Sequence, residues 1–440
     1  MMKNNTPQKN IPDGWDMIPA GDVFSFVKTF AFSRENLCDG DLENGDVGNI
    51  HYGDIHSTFA SPSIDLNKVK IPAIRDRRFM PEQSAFLKDG DLVMADASED
   101  YEGVGVTVSI HGIGKKKAVG GLHTFVLRDN KHQTDEYFRQ YIFCNPVVRN
   151  ALQKVANGVS VYGISKTAVS KMRLPIPPLT EQKRIADVLK TWDRAIHTLG
   201  AEIAAKKEAK RGLMQELLTG RTRLSGFNDK WRVITLGEIF RERNERETES
   251  NDLLLYSLTI EDGVCPKSER YNRSFLVKSE EKAYKKTYQD DIVYNPANLR
   301  YGAIARNKNI KPVLLSPIYQ VLFVKNKNEY NIDFFDQLLT WDRQIRKMSA
   351  YAEGTLIERM EVKIDSFKII QLDIPSFAEQ SAIAKILMTA DSEIAQLEQK
   401  LAFIQDQKRY LLNNLITGAI RVPGTKSKVG KGKSTAVTAR

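Results

Sequence analysis

From Leu174 the sequence reads LPIPPLTEQKRIADVLKTWDRAIHTL, and from Leu372 it reads LDIPSFAEQSAIAKILMTADSEIAQL. The two stretches align without a gap at a constant offset of 198 residues, which also relates Gly220 to Gly418. About 20 of about 50 aligned positions are identical, and self-similarity of this kind is the signature of a duplicated unit. The chain is therefore organised around two copies of one helical segment.

Apolar residues recur in both segments at alternating intervals of four and three, which predicts long helices that pair as an antiparallel coiled coil. The alternative is that each apolar stripe packs only on its own domain. Lysines at 206, 210 and 408 interrupt the pattern. The predicted pairing positions are Ile185, Leu189, Trp192, Ile196, Leu199, Ile203, Leu213 and Leu217 in the first helix, and Ile383, Leu387, Ile394, Leu397, Leu401, Ile404, Leu411 and Leu415 in the second.

Polar residues and glycines mark the ends of both helices. Thr180 is the predicted N-cap of the first helix, and Ser376 with Glu379 predicts a capping box for the second. Gly220 and Gly418 stand where a left-handed residue would end each helix. A helix from Glu181 to Leu218 would extend about 55 Å.

The remaining sequence forms two globular halves whose features recur in the same order. Trp15 and Ile18 match Trp231 and Ile234, and short β-rich runs alternate with amphipathic helical segments. We expect an α+β fold: two similar α/β domains separated by two long antiparallel coiled-coil helices, with approximate internal two-fold symmetry. The predicted divisions are domains at 1–173 and 224–371, helical spacers at 174–223 and 372–422, and a flexible basic tail at 423–440.

Composition narrows the class of protein. The chain has 440 residues, a formal net charge of +10 and three widely separated cysteines. The positive surplus lies mainly in the first helical segment and the tail, so overall charge alone does not establish nucleic-acid binding. No apolar run is long enough to span a bilayer, and the N-terminus has no signal-peptide pattern. Together with the cysteine usage, this predicts a cytoplasmic protein.

The paired proline-led segments resemble those of the specificity subunits of type I restriction–modification systems. The resemblance is carried by PIPPLTEQKRI from Pro175, IPSFAEQ from Ile374, and the helix endings LLTG and LITG at Gly220 and Gly418. It covers nearly the whole chain. The second copy departs from the pattern in having Ser381-Ala382 where the first has Lys183-Arg184.

The resemblance implies a non-catalytic subunit of a bacterial or archaeal complex. Its two domains would recognise the two parts of an asymmetric site in double-stranded DNA. It would bind two modification subunits, which methylate adenine with S-adenosylmethionine. Two restriction subunits would add translocation and cleavage that use ATP and Mg²⁺. No cofactor or metal is expected on this chain itself.

Catalytic motifs are absent from the sequence. The nearest string to a methyltransferase motif is NPAN at 295–298, which lacks the second proline and the aromatic residue that would stack on a base. GKS at 432–434 is only the end of a phosphate-binding loop. Two alternative functions stay open: a remnant of a fused restriction–modification enzyme, or a coiled-coil scaffold that binds protein alone.

Basic clusters in the presumed loops are the candidate DNA contacts, because cations bind phosphate and arginine can pair with guanine. The alternative is an ordinary solvated surface. The candidates are Arg75, Arg77, Arg78, Lys115, Lys116 and Lys117 in the first domain, and Lys285, Lys286, Arg300, Tyr301, Arg306, Lys308 and Lys311 in the second.

Overall fold

A computed structural model describes residues 11–59, 62–267, 283–354 and 360–423. The predicted tail at 423–440 lies, except for its first residue, outside the described residues. The chain divides into two compact units. The first comprises described residues of 1–198 and 401–440, and the second comprises those of 199–400. No helix in the described ranges combines the length and apolar character that crossing a membrane requires.

Two long helices dominate the secondary structure, and each continues from one unit into the other. They are α6 (Leu179–Leu217) and α11 (Phe377–Thr417). Gly220 and Gly418 follow their ends with φ of 69° and 70°, which confirms the predicted left-handed terminations. Helices of 39 and 41 residues confirm the prediction of two long helical segments at the repeat.

The first unit contains two sheets and several short helices. The elements before α6 are β1 (Asp16–Pro19), α1 (Ala20–Val23), β2 (Ser25–Val27), β3 (Leu37–Cys38), β4 (Val47–Ile50), α2 (Tyr52–Ser57), β5 (Ser63–Asp65), β6 (Ala73–Ile74), β7 (Leu92–Ala95), β8 (Ala97–Ser98), β9 (Thr107–His111), β10 (Lys117–Gly120), β11 (Thr124–Arg128), α3 (Glu136–Arg139), α4 (Pro146–Val155), β12 (Tyr162–Gly163), α5 (Lys166–Lys171) and β13 (Arg173–Ile176). The five-stranded sheet has the order β2-β11-β7-β9-β5, the four-stranded sheet has the order β10-β4-β6-β3, and two further pairs are β1-β13 and β12-β8.

The second unit repeats this plan with different loops. The elements between the long helices are β14 (Arg232–Thr235), α7 (Leu236–Ile239), β15 (Phe240–Glu242), β16 (Arg246–Glu247), β17 (Leu255–Thr259), β18 (Gly263–Pro266), β19 (Tyr284–Thr287), β20 (Ile292–Tyr294), β21 (Ile304–Arg306), β22 (Val313–Leu315), β23 (Gln320–Val324), α8 (Ile332–Leu339), α9 (Asp342–Ser349), α10 (Ile364–Lys368) and β24 (Gln371–Ile374). The sheets of this unit have the orders β15-β23-β20-β21, β16-β19-β22-β17-β18 and β14-β24.

The duplication extends to strand pairing. The antiparallel order β2-β11-β7-β9 of the first unit recurs as β15-β23-β20-β21 in the second. In both units the strand that leads into a long helix pairs antiparallel with the first strand of the domain, as in the register Asp16↔Ile176 and Arg232↔Ile374. The structure thus confirms two similar α/β domains with long helices.

Within each unit the long helices pack against each other and against the domain. In the first unit, one of the hydrophobic cores contains Ile185 and Leu189 of α6 together with Leu415 of α11. The second has a core that joins Leu217 of α6 to Ile383 and Leu387 of α11. In the second unit Lys206 pairs with Glu393 and Lys210 pairs with Asp391, both at 2.6 Å. Residue numbers therefore rise along α6 as they fall along α11, so the two helices are antiparallel there.

Two predictions at the helices are wrong in detail. Leu213 is exposed and the neighbouring Met214 is buried in its place, because the helix turns the interrupting Lys210 and then Met214 inward. Thr180 is not the N-cap: α6 already begins at Leu179, and the carbonyl oxygen of Pro178 accepts from the backbone nitrogens of Glu181 and Gln182.

Candidate nucleic-acid interface

A Glu-Gln pair in the first turn of each long helix fixes the adjoining domain. In α6 the Gln182 side chain accepts from the backbone nitrogen of Asp135 and donates to the carbonyl oxygen of Pro177, at 2.7 and 2.8 Å. In α11 Gln380 makes the same bonds with Asn331 and Pro375, at 2.9 and 3.0 Å. Both glutamines are buried, so these bonds hold the globular domain on its helix without competition from water.

The glutamates beside them are equally buried and equally satisfied. Glu379 accepts two hydrogen bonds from Arg223, both at 2.7 Å, and one from the indole of Trp231. Hydrogen bonds to Glu379 raise the pKa of the Arg223 guanidinium. The sequence predicted a capping role for Glu379 and no role for Glu181. The available signal was that Glu-Gln recurs at the same position in both copies of the repeat.

In the first unit the structure brings the two basic clusters together at one end of the four-stranded sheet. The Lys117 ammonium lies 3.7 Å from the sulfur of Met80, in the loop that follows Arg75, Arg77 and Arg78. Arg77 and Arg78 are 82% and 91% exposed in their side chains, although each has a carboxylate neighbour in Asp46 or Asp76. Flexible cations held at the surface in this way can exchange a carboxylate for a DNA phosphate.

Other candidates in the same region are engaged within the domain. Lys116 is almost fully buried and bonds Glu43 and Asn67, both at 2.7 Å. Arg75 donates to the carbonyl oxygens of Glu35 and Leu37, at 3.1 and 3.0 Å. Lys115 is exposed. The outward-facing cations of this cluster are therefore Arg77, Arg78 and Lys115, while Lys116 and Arg75 shape the loops that carry them.

In the second unit four candidates line one cleft of ≈ 630 Å³: Arg300, Tyr301, Arg306 and Lys308. Tyr301 is 60% exposed, and the Arg300 guanidinium lies 4.7 Å from the centre of its ring. Five cations and five carboxylates line this cleft, so their formal charges balance. A balanced, hydrogen-bonding cleft with an aromatic rim suits base edges better than phosphates.

Arg306 is committed to holding this cleft together. Its guanidinium bonds Asp290 and Asp333, with nitrogen–oxygen distances of 2.5 Å to each. Burial lowers the pKa of Arg306, but the hydrogen bonds to Asp290 and Asp333 outweigh burial and raise it. Lys308 lies 3.4 Å from Asp336 and is 76% exposed, so it can reorient toward a ligand.

The remaining candidates lie on other elements. Lys285 of β19 is buried, and this burial lowers the pKa of its amine, which donates to Gln320 at 2.8 Å. Lys286 bonds Glu247 at 2.8 Å, and Lys311 is exposed in the loop after β21. The structure does not gather these three with the cleft residues. The role of every candidate in DNA binding stays a prediction.

The remnants of catalytic motifs have structural explanations. Asn295 follows β20, and its side chain accepts from the backbone nitrogen of Ala297, so NPAN forms the turn after a strand. Residues 432–434 lie outside the described part of the chain. Within that part, no group of three or more His, Cys, Asp or Glu side chains could hold a metal ion.

Comparisons with known proteins agree with this architecture. Residues 12–206 match the family described as type I restriction modification DNA specificity domain. The type I restriction enzyme MjaVIII specificity subunit of Methanocaldococcus jannaschii is 22% identical over 449 residues, covering 94% of each chain.

Two solved structures share the fold. The S subunit of a type I restriction-modification system from M. genitalium is 16% identical, with a TM-score of 0.53 and coverage of 93% of this chain and 97% of that one. A chain from a study of complex assembly and conformational transition in the type I R-M system is 15% identical. It has a TM-score of 0.56, with coverage of 93% and 100%.

Proposed function

Because the chain belongs to the family of type I restriction-modification specificity subunits, we propose that it recognises an asymmetric two-part DNA site and directs partner subunits to it. Recognition of DNA sequence is the function of this family. The finer proposal is that each domain reads one half-site. Its main support is the recurrence of one strand order, β2-β11-β7-β9 and β15-β23-β20-β21, beneath loops that differ between the domains.

The differences between the loops explain why the site should be asymmetric. The first domain presents exposed arginines at 77 and 78, whereas the second presents a charge-balanced cleft with Tyr301 at its rim. Two surfaces of different chemistry bind different base sequences, since base edges are read by specific donors, acceptors and apolar contacts. The half-sites are therefore expected to differ in sequence.

The proposed partners are two modification subunits and two restriction subunits. S-adenosylmethionine would serve adenine methylation in the former, and ATP and Mg²⁺ would serve translocation and cleavage in the latter. This chain would contribute recognition and no catalytic step. A complex that acts on the host chromosome would work in the cytoplasm of a bacterium or archaeon.

The test is to co-express the chain with the modification subunit of its own system and map methylated adenines across the host DNA. A split, asymmetric motif with a fixed spacer is expected. Random methylation, or a stable complex that methylates no defined motif, contradicts the proposal. A protein-binding scaffold predicts the second result, because it has no sequence-selective contact with DNA.

A further inference from the structure

One aspartate near the middle of each long helix bonds both the other long helix and the recognition domain. In the second unit, Asp391 of α11 accepts from the Lys210 ammonium through Oδ1, at 2.6 Å, and Lys210 belongs to α6. Its other oxygen, Oδ2, accepts from the side-chain amide of Gln337, at 2.7 Å, and Gln337 belongs to α8 of the recognition domain. A single carboxylate thus ties both long helices to the domain.

The first unit contains the same junction with the helices exchanged. Asp193 of α6 pairs through Oδ1 with Lys408 of α11. Its Oδ2 accepts from the hydroxyls of two tyrosines of the recognition domain: Tyr137 in α3, at 2.5 Å, and Tyr141 just after α3, at 3.0 Å. Burial and the bonds to Asp193 raise the pKa of the Tyr137 hydroxyl, which therefore stays protonated and donates.

The two junctions are equivalent in sequence. Asp193 and Asp391, like Lys210 and Lys408, are separated by 198 positions, the offset of the repeat. The domain partner differs, two tyrosines in one unit and one glutamine in the other, yet it reaches the same carboxylate oxygen. Both lysines interrupt the apolar pattern of their helices and have less than a fifth of the side chain exposed.

A polar pair among apolar pairing positions fixes the register of two helices, because any slip leaves a shielded charge unpaired. The hydrogen bond from the recognition domain to the same carboxylate also fixes the orientation of that domain on the helices. We propose that Asp193 and Asp391 are positioning residues that set the register of the helices and the orientation of the recognition domain within their own units. They thereby restrict the DNA spacer that the protein accepts. This inference rests on the proposed function.

The experiment compares spacer selectivity among variants co-expressed with the modification subunit. Asp391→Lys places two lysines together, and Asp391→Asn keeps the shape while removing the charge. In both, methylation at sites whose spacer is one base pair longer or shorter should rise about tenfold relative to the wild-type ratio, equivalent to about 1.4 kcal/mol of lost discrimination. Combining Lys210→Asp with Asp391→Lys restores the ion pair, and Gln337 can rotate its amide to accept from the new lysine. Selectivity should then return to within about twofold of wild type.

The matched control is Glu393→Lys. Glu393 pairs with Lys206 across the same two helices at 2.6 Å, but the pair is more exposed, and within the described part of the chain neither side chain bonds the recognition domain. This variant should leave spacer selectivity unchanged. The control separates a general effect of charge reversal on the helices from the specific effect of the junction.

The outcomes are distinguishable. Unchanged spacer selectivity in an assembled Asp391→Asn complex overturns the inference and leaves the proposed function intact. Loss of assembly in both Asp391→Asn and the charge-swapped protein assigns the pair to folding alone and also overturns it. Absence of a split motif for the wild-type protein contradicts the proposed function itself, and the inference falls with it.

Discussion

Arg421 donates from Nε and Nη2 to the two carboxylate oxygens of Glu181, at 2.5 and 2.7 Å, across 240 positions of sequence. Glu181 is buried at the start of α6 and also accepts from the indole of Trp15. Arg421 follows the end of α11. The bond therefore secures the segment after the second helix to the beginning of the first, as Arg223 secures the segment after α6 to Glu379.

Replacing Arg421 with alanine should destabilise the first unit, because Glu181 would keep a shielded charge without its cation. We expect a loss of about 1–2 kcal/mol in the free energy of unfolding, limited by the partial exposure of the arginine. Urea denaturation of the purified protein measures the loss. Arg409→Ala removes an exposed arginine that pairs with Asp406 in the same helix and should change stability by less than about 0.5 kcal/mol. Equal effects of the two substitutions would contradict the assignment.

Leu199→Asp should disrupt the paired helices, because Leu199 is buried and a carboxylate at that position would lose its hydration. A loss of about 4 kcal/mol is expected, with weaker binding of the modification subunit. Thermal unfolding and co-purification measure both effects. The control is Leu213→Asp on the same helix, where the side chain is already exposed. Equal damage from Leu213→Asp would mean that Leu213 also contributes to helix pairing and would contradict the assignment.

Removing both Arg77 and Arg78 by alanine substitution should weaken DNA binding by the assembled complex with little dependence on base sequence. Each lost phosphate contact lowers the slope of log affinity against log salt concentration by about one. Binding isotherms at several salt concentrations measure that slope. Lys171→Ala, which removes an exposed cation from α5, is the control and should leave it unchanged. If the double variant keeps the wild-type slope, the two arginines do not contact DNA phosphates, and the prediction is contradicted.

Asp129 should contribute to acid lability of the first unit. Burial alone would raise the pKa of its carboxyl, but hydrogen bonds from Thr134 and Gln133 and the charge of Arg139 outweigh burial and lower it. A carboxyl with a lowered folded pKa stabilises the protein above its unfolded pKa of 3.8, and this stability is lost as pH falls through the folded value.

The pH dependence can be measured by unfolding between pH 6 and pH 2. Asp129→Asn should be less stable than wild type at the upper end, and the difference should shrink below about pH 4. Asp16→Asn changes an exposed aspartate in the same unit and should parallel the wild type. A constant difference across the range would mean that Asp129 acts through shape and not through its charge.

The sequence predicted the long helices well because their determinants are local and repeated. A period of four and three, glycines at the ends and a second copy at a constant offset define α6 and α11. The short β-rich runs of the two globular halves are also present as strands, for example β7 and β23. Each is a short β-rich run bounded by turn residues, so neighbouring sequence was sufficient to find it.

The candidate contacts were less predictable because the partner of a charge is set by the fold. In the sequence, Lys285, Arg306 and Lys308 all stand in basic clusters. In the structure, however, Lys285 is buried beside Gln320, and Arg306 is held by Asp333. These partners are 35 and 27 positions away. The Glu-Gln pairs were overlooked as anchors for the same reason, since Glu181 meets its cation only when the two ends of the sequence come together.

The pairing of β14 with β24 brings Thr235 directly opposite Gln371, so the 135 residues between them begin and end at one place. The pairing of β1 with β13 does the same for the first domain. Each recognition domain is thus a cassette with a closed base. A recombination event that exchanged the interior and kept the two base strands would graft a new DNA preference onto an unchanged frame, and the subunit could change its target in one genetic step.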